Sequence, residues 1–361
     1  MKSETIYIGN VPVGDGYPTV FMAEVGTFFN QDIELAENFL EVAVDAGADL
    51  FKTEILHSAD VCLKNSGLVH RYNYAEGVAE EDYRALVERK VLPFSEYSRL
   101  FKACRHYEIP FVASVYDIEG IDFLVEEGGA AIKISRDNVN NIPLVEYAAK
   151  TGLPVIMDNG GLYFDEVAKA VRLIREYSSA GVIINHHPAA NPAPPEAHNM
   201  RVMQTYKEAL GVPVGLACHY RGDEILYLAV GMGCNLIEKG IVDDPDKMEQ
   251  DIVSALSINE LPDVIKKVKH CWKAMGEKFP VVKKPRDEST WKGLVAKKNI
   301  EPGEQVSIDN VSFAWPPVGI SVSEWENVKG RVIIKKLKKG EPIDWNSVGM
   351  DISEGFSFED Y

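Results

Sequence analysis

Residues 131–144 read AIKISRDNVNNIPL, and this stretch decides the interpretation of the fold. The run AIKIS is typical of a short apolar strand that carries Lys133 and Ser135 at its end. A polar turn follows, and a helix is predicted from Ile142, with Pro143 in the first helical turn, where proline is tolerated. In a unit of this kind the polar side chains lie at the carboxyl end of the strand, where parallel α/β proteins keep their active sites.

The same unit of strand, polar loop and helix recurs along about 260 residues. Eight strand-like runs are VFMAEVG (20–26), DLFKTEI (49–55), PFVAS (110–114), AIKIS (131–135), PVIMD (154–158), GVIIN (181–185), PVGLA (213–217) and NLIEKG (235–240). Helices with apolar residues three and four apart are predicted at 33–46, 95–107, 142–151, 164–177, 196–210, 224–231 and 261–275. Nearly continuous apolar strands indicate a sheet covered on both faces. The pattern predicts a (β/α)8 TIM barrel; the alternative is an open doubly wound sheet, but no GxGxxG opens the first helix.

The chain divides into segments of different character. A β-hairpin is predicted within residues 5–20, and with it the barrel occupies 1–280. Residues 281–291, rich in charge and proline, are predicted to be a linker. Residues 292–350 contain short β runs broken by proline and glycine, which predicts a small β-rich domain. Residues 351–361 form an acidic tail.

Composition excludes some classes of partner. The 361 residues carry a formal net charge of −17, which argues against nucleic acid or an anionic membrane as the main partner. Five scattered cysteines without CxxC spacing indicate reduced thiols. We see no signal peptide and no apolar run long enough to cross a bilayer, and we therefore expect a cytoplasmic protein. Any anionic substrate must be met by a local cationic pocket.

Two lysines are the strongest candidates for that pocket. Lys52 and Lys133 lie inside or at the end of apolar strands, where lysine is unusual. Together with the Ser135 hydroxyl, two ammonium groups at one barrel mouth could hold an oxyanion.

Several motifs resemble the sialic acid synthase family, which includes N-acetylneuraminate, legionaminate and pseudaminate synthases. These motifs are IYIGNVPVGDG, AEVG, AGADLFKTE, the stretch KISRDNVNNIPLVEYAAKTGLPVIM (133–157), PAPPEAHNM, GLACHYRG and LIEKG. Residues 292–350 resemble the antifreeze-like module (the SAF or beta-clip domain) of these synthases, through VAKKNIEPGEQVSIDNV, PPVGIS and LKKGEPI. The resemblance covers nearly the whole chain.

The resemblance implies a reaction and its requirements. Such enzymes condense phosphoenolpyruvate with an aldehyde sugar, usually an N-acyl hexosamine, to give a 2-keto-3-deoxy sugar acid and phosphate. A divalent metal, manganese or magnesium here, would polarise the aldehyde. A homodimer is implied as well, in which the small domain of one protomer covers the barrel mouth of the other.

The resemblance also assigns roles to residues of this chain. It implies catalytic roles for Glu24, Lys52 and Lys133, substrate contacts for Ser135 and Asn185, and a metal ligand at His219.

At several of these positions the chain departs from the family pattern. Asp158 and Ala217 replace serines expected near phosphate, and a carboxylate about 4 Å from a phosphate oxygen would cost several kcal/mol. Gly240 replaces a second histidine ligand, so Glu238, Asp243 or Asp244 would have to complete a metal site with His219, and Glu238 is the chosen candidate. Trp315 replaces an arginine and could stack on a sugar face.

Three functional hypotheses follow. The leading one is a divergent transferase of the synthase type, using phosphoenolpyruvate and an aldehyde sugar. In the second, Lys52 or Lys133 forms a Schiff base with a keto acid in a lyase or aldolase. In the third, the protein binds a sugar or a partner without turnover.

Overall fold

The computed structural model describes residues 3–277 and 287–349. The chain separates into two compact units, Met1–Gly276 and Glu277–Tyr361. Three predicted features lie wholly or largely outside the described residues: the domain boundary at 280, the linker 281–291 and the acidic tail 351–361. Among the described helices, none combines the length and apolar character that a membrane span requires.

Eight parallel strands of the first unit close into a barrel, which confirms the predicted fold class. The strands of this unit are β1 (Ile6–Ile8), β2 (Val11–Val13), β3 (Val20–Gly26), β4 (Leu50–Glu54), β5 (Val69–Tyr74), β6 (Gly77–Asp82), β7 (Phe111–Ser114), β8 (Ala131–Ile134), β9 (Val155–Asp158), β10 (Val182–His186), β11 (Val214–Cys218), β12 (Leu236–Val242) and β13 (Leu256–Ser257). The barrel order is β3-β4-β7-β8-β9-β10-β11-β12, and β12 pairs back with β3. The predicted hairpin is β1 paired with β2.

Helices cover the outside of this barrel. They are α1 (Ile33–Asp45), α3 (Phe94–His106), α4 (Ile118–Glu126), α5 (Ile142–Lys150), α6 (Phe164–Tyr177), α7 (Val202–Leu210), α8 (Glu224–Gly231) and α9 (Leu261–Met275). A short further helix, α2 (Tyr83–Glu88), lies in the segment between β4 and α3. In α6, Val167, Ala170, Val171 and Ile174 are buried, as the 3.6-residue period requires for one face against the barrel.

One predicted helix is shorter than expected. The run 196–210 begins with a 3-10 turn, Pro195–His198, and the helix α7 starts only at Val202. Asn199 between them has a φ of 41°, in the left-handed region, which interrupts helical hydrogen bonding.

The stretch 131–144 folds as its sequence predicts. After β8 comes a 3-10 turn, Arg136–Asn138, and α5 begins at Ile142 with proline in its first turn. The Asn141 side chain accepts a hydrogen bond from the Leu144 amide and thereby caps α5.

The barrel interior has two layers of opposite character. Toward the strand amino ends, next to the β1–β2 hairpin, lies an apolar cluster that contains Met22, Leu50, Val112, Ala131, Ile156, Ile183 and Leu236. Two residues further along the same strands stand Glu24, Lys52, Ser114, Lys133, Asp158, Asn185 and Glu238. Because residues two apart in a strand share one face, both sets point into the barrel. The apolar layer closes one end, and the polar layer forms the floor of the open mouth.

A segment between β4 and α3 was not predicted. Here β5 and β6 form an antiparallel hairpin, followed by α2. Arg89, just after α2, pairs with Glu81 on β6 and with Glu249 in the loop after β12. These ion pairs attach the hairpin to the rim of the mouth.

The second unit has its own core. Strands β14 (Gly293–Ala296) and β15 (Val311–Ala314) pair antiparallel, and α10 (Trp325–Val328) is its short helix. Apolar side chains including Leu294, Ile300, Ile320 and Ile343 are completely buried within it. This agrees with the predicted small β-rich domain.

Close packing beneath the mouth predicts a sharp difference between two glycines. A Cβ at Gly215, on β11, would lie 2.4 Å from Asn185 Oδ1 and 2.9 Å from the Leu236 carbonyl oxygen, whereas one at Gly231, in α8, would meet nothing within 4 Å. We expect Gly215→Ala to destabilise the protein by about 1–3 kcal/mol. Gly231→Ala is the control and should be neutral or slightly stabilising. Urea unfolding measures both, and equal stability of the two variants would contradict the described packing.

Candidate active site

A chain of five alternating charges crosses the barrel mouth: Glu24, Lys52, Glu238, Lys133 and Asp158. Lys52 forms a close ion pair with Glu24 and lies 3.0 Å from Glu238 Oε1. The Lys133 ammonium donates to Glu238 Oε2 at 2.6 Å and lies 2.9 Å from Asp158 Oδ1. Glu238 therefore sits between both lysines, while Glu24 and Asp158 are the two ends. The structure thus brings all three predicted catalytic residues together.

Glu54 is a sixth charged group that our sequence analysis missed. Its carboxylate lies 3.8 Å from the Lys52 ammonium and accepts a 2.7 Å hydrogen bond from the Tyr116 hydroxyl. The strand alternation could have revealed it, because Lys52 and Glu54 are two residues apart on β4 and share one face.

The two lysines are held in their charged form. Burial alone would lower the pKa of Lys52, but Glu238, Glu24 and Glu54 raise it well above its ordinary value. Burial acts likewise on Lys133, and Asp158 and Glu238 raise its pKa. Lysines charged at neutral pH can hold an anion, but they lack the free amine that a Schiff base requires.

The three carboxylates of the charge chain differ strongly in proton affinity. Burial would raise the pKa of Glu238, but Lys133 and Lys52 together lower it to about 2. Burial raises the pKa of Glu24 to about 7 and that of Asp158 to about 6, since neighbouring lysines offset the desolvation only in part. Glu24 is therefore able to exchange a proton near neutral pH, as a general acid or base must.

The charge chain forms the floor of a cavity of about 330 Å3. The walls include His70 and Tyr72 of the β5–β6 hairpin, Ser135 after β8 and His219 after β11. A cavity of this size at the carboxyl ends of barrel strands matches a site for a small substrate.

The predicted substrate-binding residues occupy different settings. Ser135 lies on the cavity wall, where Asn138 donates to its hydroxyl at 3.4 Å. Asp158 is on the floor. Asn185 is completely buried and donates to Glu238 Oε2 at 2.5 Å, so it supports the charge chain. Trp315 belongs to the second unit, where its indole donates to the Thr290 carbonyl and its side chain is 67% exposed. Direct substrate contact by any of the four stays a prediction.

The side chains predicted to bind a metal do not assemble a complete site. Both oxygens of Glu238 are occupied by lysine ammonium groups, and Nδ1 of His219 is 2.8 Å from the Asn191 amide nitrogen. The His187 ring packs against the His219 ring in a tilted arrangement, with 4.4 Å between the ring centroids, and burial lowers the pKa of both imidazoles, to about 3 for His219. Within residues 3–277 and 287–349, no three His, Cys, Asp or Glu side chains are arranged to hold a metal ion. The divalent metal stays a prediction.

Comparisons with known proteins match this architecture. The family model described as the NeuB family matches residues 39–279, and a SAF domain model matches residues 292–349. The chain belongs to the NeuB family. The predicted membership of the sialic acid synthase family, and the predicted antifreeze-like module, are thereby confirmed.

Curated relatives align over nearly their whole length. The N,N'-diacetyllegionaminic acid synthase of Campylobacter jejuni is 28% identical over 330 residues, which cover 90% of this chain and 98% of the relative. An uncharacterized protein of Methanocaldococcus jannaschii is 28% identical, with 96% and 99% covered. Among solved structures, the N-acetylneuraminic acid synthetase of Leptospira borgpetersenii superposes with a TM-score of 0.70 at 25% identity, over 80% of this chain and 94% of that one.

The raised pKa of Glu24 predicts a pH-dependent stability. The folded protein binds this proton up to a pH of about 7, whereas an unfolded chain releases it near the ordinary value of 4.5. The free energy of unfolding should therefore fall as the pH rises between these values. Glu24→Gln, which cannot ionise, should show a smaller fall, measured as the unfolding temperature across this range.

Glu196→Gln, at an exposed glutamate in a 3-10 turn, is the matched control and should keep the profile of the unchanged protein. If Glu24→Gln and the unchanged protein showed parallel profiles, the proton affinity assigned to Glu24 would be wrong.

Proposed function

We propose that this protein is a carbon–carbon bond-forming synthase that condenses phosphoenolpyruvate with an aldehyde sugar. The product would be a 2-keto-3-deoxy sugar acid, with release of phosphate. The observation that carries the proposal is the pair of buried, charged lysines, Lys52 and Lys133, on the floor of one barrel mouth beside Glu24. Membership of the NeuB family and the synthase relatives support the same class of reaction.

The two lysines and Glu24 have different roles in this reaction. The lysine ammonium groups attract the anionic donor and hold its oxyanions by charge-assisted hydrogen bonds. The C3 carbon of the donor forms the new bond to the aldehyde carbon, and the aldehyde oxygen gains a proton. Water adds to C2. The bond between C2 and the oxygen that bridges to phosphorus then breaks, and phosphate leaves with that oxygen. Glu24, whose pKa is raised to about 7, is suited to take the proton of the attacking water or to give one to the aldehyde oxygen.

The charge state of the lysines favours this reaction over Schiff-base chemistry. An aldolase lysine needs a neutral amine, and the carboxylates around Lys52 and Lys133 raise the pKa of both ammonium groups. Lys239 has a lowered pKa because of its burial, but its ammonium donates to the carbonyls of Tyr220 and Gly222. Lys239 is also not among the described residues that line the mouth cavity.

The direct test is incubation with phosphoenolpyruvate and a panel of aldehyde sugars, with and without Mn²⁺ or Mg²⁺. Phosphate release that depends on the sugar, together with a product mass equal to the sum of the sugar and pyruvic acid, would support the proposal. Absence of phosphate release across N-acyl hexosamines and simple aldoses would refute it.

Lys133→Met should reduce phosphate release at least 100-fold, because it removes one cation from the donor site while keeping the side chain's length. Lys169→Met, at an exposed lysine on the outer helix α6, is the matched control and should keep its activity. Circular dichroism must show that both variants fold, since loss of one partner from a buried ion pair is destabilising. A folded Lys133→Met enzyme with full activity would contradict the role of Lys133.

The homodimer with an exchanged small domain stays a proposal that rests on the family resemblance. The exposed indole of Trp315, over which the Lys292 ammonium lies at 4.3 Å, offers an aromatic surface for such a contact. Sedimentation velocity should then give a particle of twice the chain mass, and Trp315→Ala should weaken the association. A monomer at all concentrations would contradict it.

A further inference from the structure

We propose that Asp158 determines which donors this site accepts, because its carboxylate occupies on Lys133 the position that an anionic group of the donor would take. The inference rests on the proposed function, since it treats the barrel mouth as the donor site. It makes Asp158 a specificity-determining residue that weakens the binding of donors with two anionic groups more than that of donors with one.

Of the two carboxylates on Lys133, Asp158 is held less firmly than Glu238. Glu238 is held by two ammonium groups and by the Asn185 amide, which satisfies both of its oxygens. Asp158 has Lys133 as its ion-pair partner, and the 2.9 Å contact lacks the angular geometry of a hydrogen bond. An oxyanion that approaches the Lys133 ammonium therefore competes with Asp158 before it competes with Glu238.

The lysines and arginines among the described residues of the cavity already face carboxylates. Among the residues that line it in the described part of the chain, the cations are Lys52, Arg71, Lys90, Lys133 and Arg136. Each has a carboxylate within 4 Å: the rim cations pair with Glu80 (Arg71), Glu249 (Lys90) and Asp137 (Arg136). On the floor, two lysines face the three carboxylates Glu24, Asp158 and Glu238, and the Glu54 carboxylate lies next to Lys52 as well.

The consequence depends on the charge of the donor. A donor with one carboxylate can replace Asp158 on Lys133, one anion for another. Phosphoenolpyruvate brings a carboxylate and a phosphate, so its second anionic group enters a floor where carboxylates already outnumber cations. Repulsion between such groups is strong in a buried site, because little water screens it. Asp158 should thus lower the ratio of the affinity for phosphoenolpyruvate to the affinity for a simple 2-keto acid.

The test is isothermal titration calorimetry of the full-length chain with phosphoenolpyruvate and, separately, with pyruvate. Asp158→Asn keeps the shape of the side chain and removes its charge. We expect it to raise the affinity for phosphoenolpyruvate at least tenfold and the affinity for pyruvate by a smaller factor. Asp165→Asn, at an exposed aspartate in the first turn of α6, is the matched control and should change neither affinity.

Equal gains for both ligands, or no gain for phosphoenolpyruvate, would overturn the inference. Absence of phosphoenolpyruvate binding by a folded Asp158→Asn protein would overturn it too. If that variant does not fold, Asp158→Ser carries the same expectation, because it also removes the negative charge. A stronger binding of phosphoenolpyruvate without any sugar-dependent phosphate release would refute the synthase reaction and leave the role of Asp158 intact. If the unchanged protein turned over substrate but neither Asp158→Asn nor Asp158→Ser changed the affinity for phosphoenolpyruvate, the role of Asp158 would be refuted and the synthase reaction would stand.

Discussion

The site depends on the position of Glu238 between the ammonium groups of Lys52 and Lys133. Two lysines buried at one end of a barrel repel each other and lose their hydration, and neither cost is tolerable without a shared counter-ion. The Glu238 carboxylate is this counter-ion, at 2.6 Å from the Lys133 ammonium and 3.0 Å from the Lys52 ammonium. The Asn185 amide donates a hydrogen bond to the same carboxylate. The lysines in turn lower the pKa of Glu238 to about 2, so the pairing persists across the physiological range.

The same interaction explains why the two ends of the charge chain behave differently from its centre. Glu24 and Asp158 each have one close ammonium partner, so burial dominates and raises the pKa of each carboxyl. Glu24, which can exchange a proton, and Asp158, which a ligand can displace, therefore lie on either side of the fixed Glu238 carboxylate. A barrel whose polar layer carried only cations would attract phosphate more strongly. In this chain Asp158 adds negative charge to that layer, and Glu54 adds a further carboxylate next to Lys52.

Much of the fold could be predicted because its signals are local. The strand and helix repeat of residues 20–275 identified eight barrel strands to within one or two residues at most ends, and α6 and α8 over their full described length. The hairpin β5–β6 escaped prediction because its residues are mostly exposed and therefore lack an apolar period. The interruption before α7 depends on one asparagine in a left-handed conformation, a feature without a strong sequence signal.

By itself, the sequence determined the barrel, the small domain and the two lysines, because strand periodicity and an unexpected lysine in an apolar strand are readable along the chain. Only the tertiary structure decided what the lysines contact. Residues 52, 133, 158 and 238 lie far apart in sequence and come from four different strands, so their distances follow from barrel closure. The expected cationic pocket is in consequence an ionic network in which carboxylates outnumber ammonium groups, since the closed barrel brings at least one carboxylate to each lysine that the strands direct inward.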